Sequence, residues 1–311
     1  MPQAIRFHKT GGPEVLELER VEVGEPGPGQ ARVRHTYIAV NFIDIYFRTG
    51  RYPLPLPNGL GSDAVGVVEA VGEGVTDIRV GQRVGYLLGP QGAYSDVRLM
   101  PADVLIPLPD GVSDRTAATL MMKGMTAQYL FRQVFPLKGG ETILYHAAAG
   151  GVGLIACQWA RAMGVTMIGT VSTDEKADIA RANGCTHTIV TSRENIAQRV
   201  REITDGKGVP VVFDSVGKDT LEASLDSLQP RGSLVSNGTI ARDTPETPEP
   251  CRTRSWYPSS WSGRVVSTAV RFSRAANVGS APANTITPSG SGDGMSGRGG
   301  HSATSTVAPK R

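Results

Sequence analysis

The stretch YHAAAGGVGLIACQWAR (145–161) runs from an apolar segment through a burst of small residues into a second apolar segment. A membrane span would need one continuous helix through Gly150, Gly151 and Gly153, each glycine costing about 1 kcal/mol relative to alanine. The surrounding uncharged run, Thr142–Ala160, also carries His146 and Gln158, so no membrane segment is expected here. The turn Ala148-Ala149-Gly150-Gly151-Val152-Gly153 reads instead as a variant of G-x-G-x-x-G with alanine in the first place. In that reading Gly150 lets the backbone approach a pyrophosphate and Gly153 permits close helix–strand contact. The amides opening the next helix face the negative charge. His146 and Cys157 read as packing residues of their elements, since no partner triad is visible from the sequence.

The context supports this reading. From Glu141 onward apolar strands alternate with helical patterns: TILYHA, GLIACQWARAMG, TMIGTV, DEKADIARANG, HTIV, ENIAQRVREITDG, PVVFDS, DTLEASLDSLQPRG and SLVSNG. Such alternation predicts βαβ units and a doubly wound parallel sheet. The first 110 residues differ, with short β-type runs at 31–40, 63–72, 83–88 and 93–100 separated by Gly and Pro. They predict an irregular, mostly antiparallel β domain. One short helix over 41–50 interrupts it, with Phe42, Ile45 and Tyr46 at helical spacing, and a longer one is expected from the N-cap Ser113 to about Val134.

A chain of 311 residues with 40% apolar content accommodates two ordinary globular domains. Its three cysteines, Cys157, Cys185 and Cys251, lack the spacing of a disulfide framework or a four-thiolate zinc site, which favours a reducing, cytoplasmic setting. The N-terminal MPQAIRFHKTGG lacks the basic-then-apolar pattern of a signal peptide. The net charge of +3 divides unevenly: residues 1–240 carry 23 Lys/Arg against 25 Asp/Glu, and 241–311 carry 9 against 4. No basic stripe with interleaved aromatics appears in 1–240, so nucleic acid is not an expected partner.

The second strand, TMIGTV, decides the cofactor. NAD-preferring sites place an acid at its end for the ribose 2′-OH, whereas this strand ends at Ser172. Asp174 and Glu175 read as first-turn residues, with Ser172 and Glu175 at capping-box spacing. Lys176, a helical turn away, suits a 2′-phosphate. NADPH is therefore expected over NADH.

Residues 1–240 resemble the zinc-independent quinone oxidoreductases, the zeta-crystallin-like NADPH:quinone reductase branch of the medium-chain dehydrogenase/reductase superfamily. The resemblance rests on Gly140-Glu141, Leu144, Ala148 to Gly151, Gly153, Gln158 and Arg161, and on NFIDIYFRTGRYP (41–53), GLGSDAVGVVEAVG (59–72), LGPQGAYS (88–95), KGMTAQYL (123–130) and VVFDSVGKDTLEASLDSLQPRG (211–232). It implies a GroES-like catalytic β domain over 1–120 and a Rossmann NADPH-binding domain over 121–240, with the active site between them and no metal. It further implies cofactor contacts at Asn41, Phe42, Asp44, Tyr46, Thr126 and Tyr129 towards the nicotinamide. Towards the phosphates it implies Gly150, Gly151, Val152, Gly153, Ser172 and Lys176, with Ala148 and Ser215 as further cofactor-binding residues. Asn41, Tyr46 and Lys123 are the expected catalytic residues. Asn41 and Tyr46 would hydrogen-bond the acceptor or carboxamide, and Lys123 would act where quinol oxygen charge develops. One departure is Thr191, where the family often has a tyrosine near the adenosine phosphate.

Zinc-using relatives need a thiolate and a histidine where this chain has Asn41 and Ser62-Asp63. An acceptor reducible by bare hydride delivery, such as a quinone, fits better than an alcohol. An α,β-unsaturated carbonyl would use the same cofactor geometry, and a non-enzymatic nucleotide- or RNA-binding role is a third reading.

The strand–helix alternation stops near Ala241. The last 71 residues contain no Leu, one Ile and 35 residues that are Ser, Thr, Pro or Gly, a composition that predicts disorder. Family members continue with another strand and helices there, so a frameshifted, non-native tail over 241–311 is expected. The sheet would then be incomplete after residue 240, and the edge by which family members form homodimers would be lost.

Overall fold

The computed structural model describes residues 1–238 and three short strands at 268–270, 272–274 and 284–286. The expected disorder and frameshift of the tail otherwise lie outside the described residues.

The N-terminal part is built from two antiparallel sheets. Strands β1 (Gln3–Phe7), β2 (Glu17–Arg20) and β4 (Asn58–Gly59) pair in the order β2-β1-β4. Strands β3 (Gln30–Ile38), β5 (Asp63–Val71), β6 (Arg83–Leu87), β7 (Val97–Pro101) and β8 (Ile106–Pro107) form a second sheet in the order β7-β3-β5-β6-β8. Alternation along β3 and β5 sends Ala31, Val33, Ala64 and Val68 into a core with Val84, Tyr86 and Met100. All four strands expected in this region are present.

Helix α1 (Phe42–Arg48) stands at the end of β3. Its helical spacing is as expected, but its burial is not: Tyr46 and Asp44 are buried while Phe42 is 50% exposed. The apolar stripe faces a cleft rather than a core. Helix α2 (Asp114–Tyr129) starts at Ser113, whose side chain accepts a hydrogen bond from the Thr116 backbone N–H at 3.1 Å, a cap worth about 1 kcal/mol. A π turn over Leu130–Val134 ends it.

The parallel sheet follows. Strands β9 (Thr142–Tyr145), β10 (Thr166–Val171), β11 (His187–Val190), β12 (Val209–Asp214) and β13 (Leu228–Ser236) alternate with α3 (Gly151–Ala162), α4 (Asp174–Ala182), α5 (Ile196–Ile203) and α6 (Leu221–Ser227). The order is β11-β10-β9-β12-β13, all parallel. Period-two alternation divides its residues between two cores. Tyr145, Met167, Phe213 and Val235 face one layer, and Leu144, Ile168, Val212 and Leu234 face the other. Burial on both faces is what a parallel sheet requires, and it explains the unbroken apolar runs.

The sheet does not stop at β13. A three-residue strand, β14 (Thr268–Val270), pairs antiparallel along the β13 edge, and β15 (Phe272–Arg274) pairs with β16 (Asn284–Ile286). A second difference lies at 228–232, expected as the end of a helix and observed as the start of β13. Pro230 has no N–H to donate to a helix and Arg231 takes φ +64°, so the chain extends where the helical pattern would have continued.

Candidate functional site

The glycine-rich turn joins β9 to α3. The His146 N–H donates to the Phe213 carbonyl at 3.0 Å and the Ala148 N–H to the Thr170 carbonyl at 3.0 Å, tying the turn to β12 and β10. Between them Ala147 takes φ +56°, a left-handed conformation that costs an alanine about 1–2 kcal/mol. Its carbonyl accepts the Gly150 N–H at 2.9 Å, which turns the chain into α3. A Cβ on Gly153 would lie 2.5 Å from both the Ala147 and Ala148 oxygens, so only glycine fits. The expected close approach of helix and strand is present. Gly150, Gly151, Val152 and Gly153 line the cleft, where the first amides of a twelve-residue helix face an open space suited to phosphate.

The opposite wall comes from α1 and the residues flanking it. Asn41 is the N-cap residue of α1, but its side chain is engaged elsewhere. Its Nδ2 donates to Asp63 Oδ1 and its Oδ1 accepts from Lys123 Nζ at 3.1 Å. Lys123 also donates to the Val40 carbonyl at 3.4 Å. Its stem crosses the turn, since a Cβ on Gly151 would stand 2.9 Å from Lys123 Cε. The ammonium of α2 is thus held between the two walls. Tyr46 packs its ring 5.5 Å from Phe42 and 5.2 Å from Tyr52, with the Arg51 guanidinium 5.0 Å over its face. Burial pushes the Tyr52 hydroxyl's pKa above its ordinary value.

Together these walls enclose a cavity of about 500 Å³ between the β domain and the parallel sheet. Of the residues expected from the sequence, Asn41, Phe42, Tyr46, Lys123, Thr126, Tyr129, Gly150 to Gly153 and Ser215 all line it. Four do not. Asp44 is 3% exposed, and its carboxylate accepts from the Asn41 N–H at 2.9 Å, Tyr94 Oη at 2.8 Å and Ser62 Oγ at 3.1 Å. It braces α1 from behind, and burial pushes its pKa up. Ala148 is buried beneath the turn rather than in the cleft.

Ser172 and Lys176 lie outside the cavity at the end of β10, where Lys176 Nζ donates to Ser172 Oγ at 3.0 Å. The capping reading was one residue out: Thr173, not Ser172, caps α4 by accepting from the Lys176 N–H. That frees the Ser172 hydroxyl to meet the lysine. Asp174 is paired with Arg193 Nη1 at 2.7 Å rather than presented to a ribose, and Thr191 Oγ1 donates to the Val171 carbonyl at 3.2 Å.

Sequence reasoning missed Val40, Tyr52, Leu88, Met122, Asn237 and Gly238, which also line the cleft. Leu88 takes φ +54°, and Asn237 Oδ1 is buried with no hydrogen-bond partner, an acceptor directed at no protein donor. Tyr52 was within the matched run 41–53, so that signal was available. Leu88 opens the matched run 88–95, Met122 is on α2 one residue before the run 123–130, and Val40, Asn237 and Gly238 carry no motif.

His146 is fully buried. Ser224 Oγ donates to Asp214 Oδ2 at 2.8 Å and so accepts from His146 Nε2–H at 2.9 Å, leaving Nδ1 to accept from Thr170 Oγ1 at 3.0 Å. Desolvation lowers its pKa and keeps it neutral. His146 is at the floor of the cleft, but both of its ring nitrogens are engaged by protein partners, and the Ser–His–Asp cluster ties β9, β10, β12 and α6 together. Cys157 is equally buried, with Sγ directed at the Ala148 carbonyl, and the hydrogen bond with the Cys185 thiol, followed by burial, raises its pKa. Both cysteines are free. The packing reading of His146 and Cys157 is correct.

An amide, a hydroxyl and a carboxyl already bonded towards an ammonium make a poor zinc donor set. Among the described residues the grouping with metal-ligand spacing, His8, Glu17 and Glu19, is on the β1–β2 surface away from the cleft. No helix among the described residues is long and apolar enough to cross a membrane.

Two family models match: the alcohol dehydrogenase GroES-like domain over residues 27–110 and the zinc-binding dehydrogenase over residues 151–274. A quinone oxidoreductase of Pseudomonas aeruginosa is 58% identical over 242 residues, 78% of this chain and 74% of the relative. A 2-haloacrylate reductase of a Burkholderia species is 54% identical over 245 residues, 76% of this chain and 73% of the relative. The structure of Escherichia coli quinone oxidoreductase complexed with NADPH superposes with a TM-score of 0.75 at 48% identity, covering 76% of this chain and 73% of that one. With the glycine turn, the cation between two walls and the donor set all in place, the chain belongs to the zinc-independent quinone oxidoreductase family of medium-chain dehydrogenases/reductases.

Proposed function

We propose that the protein is an NADPH-dependent reductase that delivers a hydride to a quinone without zinc. The observation that carries this reading is the cleft itself. One wall is a phosphate turn at a helix N-terminus, and the other is an aromatic and amide surface with a lysine ammonium held between them. The reading is supported by relatives named as quinone oxidoreductases and by a similar structure described as complexed with NADPH.

The residues present fit that cofactor. The backbone cradle at Gly153 has no room for a Cβ, and the orphaned Asn237 Oδ1 can accept from a carboxamide N–H. Gly150 to Gly153 would hold the pyrophosphate, and the Ser172–Lys176 pair would hold a 2′-phosphate. NADPH supplies the hydride when bound. Tyr46, Phe42 and Tyr52 form an apolar face against which a flat acceptor ring is oriented, and they exclude water from it. Lys123 places positive charge beside that face, where an acceptor oxygen gains negative charge, and it can supply a proton there.

Turnover followed as loss of NADPH absorbance with a benzoquinone tests this reading. Saturable oxidation is expected, and its absence with every quinone tried rejects the reading. A second reading, reduction of α,β-unsaturated carbonyls, is favoured by the 54% identity to a 2-haloacrylate reductase. A substrate panel containing both acceptor classes separates the two.

The domain limits at 120 and 240 and a reducing, cytoplasmic setting belong to the same proposal, the latter supported by the free Cys157 and Cys185. So does the altered tail. The 242-residue match to the Pseudomonas relative supports it, while the dehydrogenase family match runs on to residue 274.

A further inference from the structure

Behind the cleft, Asn41 and Lys123 connect to a carboxyl that hydride delivery does not use. Asp63, the first residue of β5, is 1% exposed, and its Oδ2 has no hydrogen-bond partner. Its Oδ1 accepts from Asn41 Nδ2, and Asn41 Oδ1 accepts from Lys123 Nζ at 3.1 Å. The amide is therefore locked in one orientation, with its donor end on a carboxyl and its acceptor end on an ammonium. Lys123 crosses the phosphate turn at Gly151 on its way to Asn41, so the same ammonium is within reach of an anion bound at the turn.

We infer that Asp63 is a positioning residue for the cofactor. Through Asn41 it holds Lys123 against the β-domain wall, and it takes up a proton when a bound anionic cofactor draws that ammonium to itself. The inference rests on the NADPH reading above. No electron moves; one solvent proton is bound to one carboxylate.

Electrostatics support the geometry. Burial raises the Asp63 pKa to about 7, with Lys123 lowering it and Asp44 raising it. The titratable groups around it are Lys123 from α2, Asp44 from α1 with Tyr94 bonded to it, and Tyr86 from β6. Near neutral pH Asp63 is thus part-ionised, and its charged form depends on the lysine. Losing the lysine to a phosphate, and gaining that phosphate's charge nearby, both favour the protonated form. Binding then takes up a proton, and affinity falls as pH rises above 7.

The test is calorimetric titration of NADPH into the full chain, in buffers of different ionisation enthalpy, for the wild type and Asp63→Asn. At about pH 7.5 the wild type is expected to take up roughly half a proton more than the variant. Its Kd should weaken by about threefold or more per pH unit between 7 and 8.5, relative to the variant. The 2′-phosphate's own ionisation, near pH ~6, enters both titrations equally. Should Asp63→Asn not fold, Lys123→Met serves instead. With no ammonium to lose, Asp63 stays neutral through this range and the extra uptake disappears. Equal proton uptake in the wild type and the variant overturns the inference, even if the variant melts at a lower temperature. Failure of the wild type to bind NADPH overturns the cofactor reading and the inference with it.

Discussion

Two neighbouring glycines meet different obstacles, and the difference is testable. A Cβ at Gly153 meets two backbone oxygens at 2.5 Å, which cannot move without displacing the turn. Gly153→Ala should destabilise the protein by about 1–3 kcal/mol in denaturant unfolding. A Cβ at Gly151 meets the far end of a lysine stem, Lys123 Cε at 2.9 Å, which can swing away. Gly151→Ala should therefore leave the unfolding midpoint nearly unchanged but weaken NADPH binding, because Lys123 is displaced. Asp63 has a pH signature of its own. Its folded pKa is raised, so the folded state holds a proton that the unfolded state has lost above about pH 4. Its contribution to stability is fully present below that value and is lost as pH rises to about 7. Melting curves should show the wild type losing stability against Asp63→Asn between these limits. Gly153 was legible in the sequence because spacing within one turn fixes its contacts. Asp63 was read only as a residue unable to bind zinc, since its partner Asn41 lies 22 positions away and nothing local links them.

Among elements, the cluster at His146 determines how the sheet is held behind the turn. Replacing it by Leu leaves Thr170 and Ser224 each short of a buried partner. His146→Leu should cost about 2–3 kcal/mol in unfolding while the quinone acceptor's KM stays unchanged, because both ring nitrogens are already bonded to Thr170 and Ser224. A KM that rises severalfold would place His146 in the site. Element types were legible wherever periodicity was clean: the alternation from Thr142 onward, and Ser113 as the cap of α2. They were not legible at 228–232, where a helical apolar pattern runs into Pro230 and Arg231 and backbone geometry prevails over side-chain spacing. The α1 stripe shows the same limit. Phe42, Ile45 and Tyr46 have helical spacing whether they face a core or a cleft, and only the bonds from Tyr94 and Ser62 to Asp44 on the other side of α1 show which.

For the whole molecule, the cavity joins described residues from Val40 to Gly238, far apart in sequence. A chain ending at residue 238 keeps all of these residues and should bind NADPH within about threefold of the full chain, measured by cofactor fluorescence. A much larger loss would show that residues beyond 238 complete the site. The glycine turn was legible in YHAAAGGVGLIACQWAR, and the resemblance located much of the cleft it opens onto; Asn237 and Gly238 were not legible, because they reach it from a segment that carries no motif. The most direct measurement is an equilibrium titration of the purified full chain with NADPH and NADH. Saturable one-to-one binding is predicted, with NADPH tighter by about tenfold or more through the charge-assisted contact of Lys176 and Ser172 to the 2′-phosphate. No saturable binding, or equal affinity for the two nucleotides, would contradict the account.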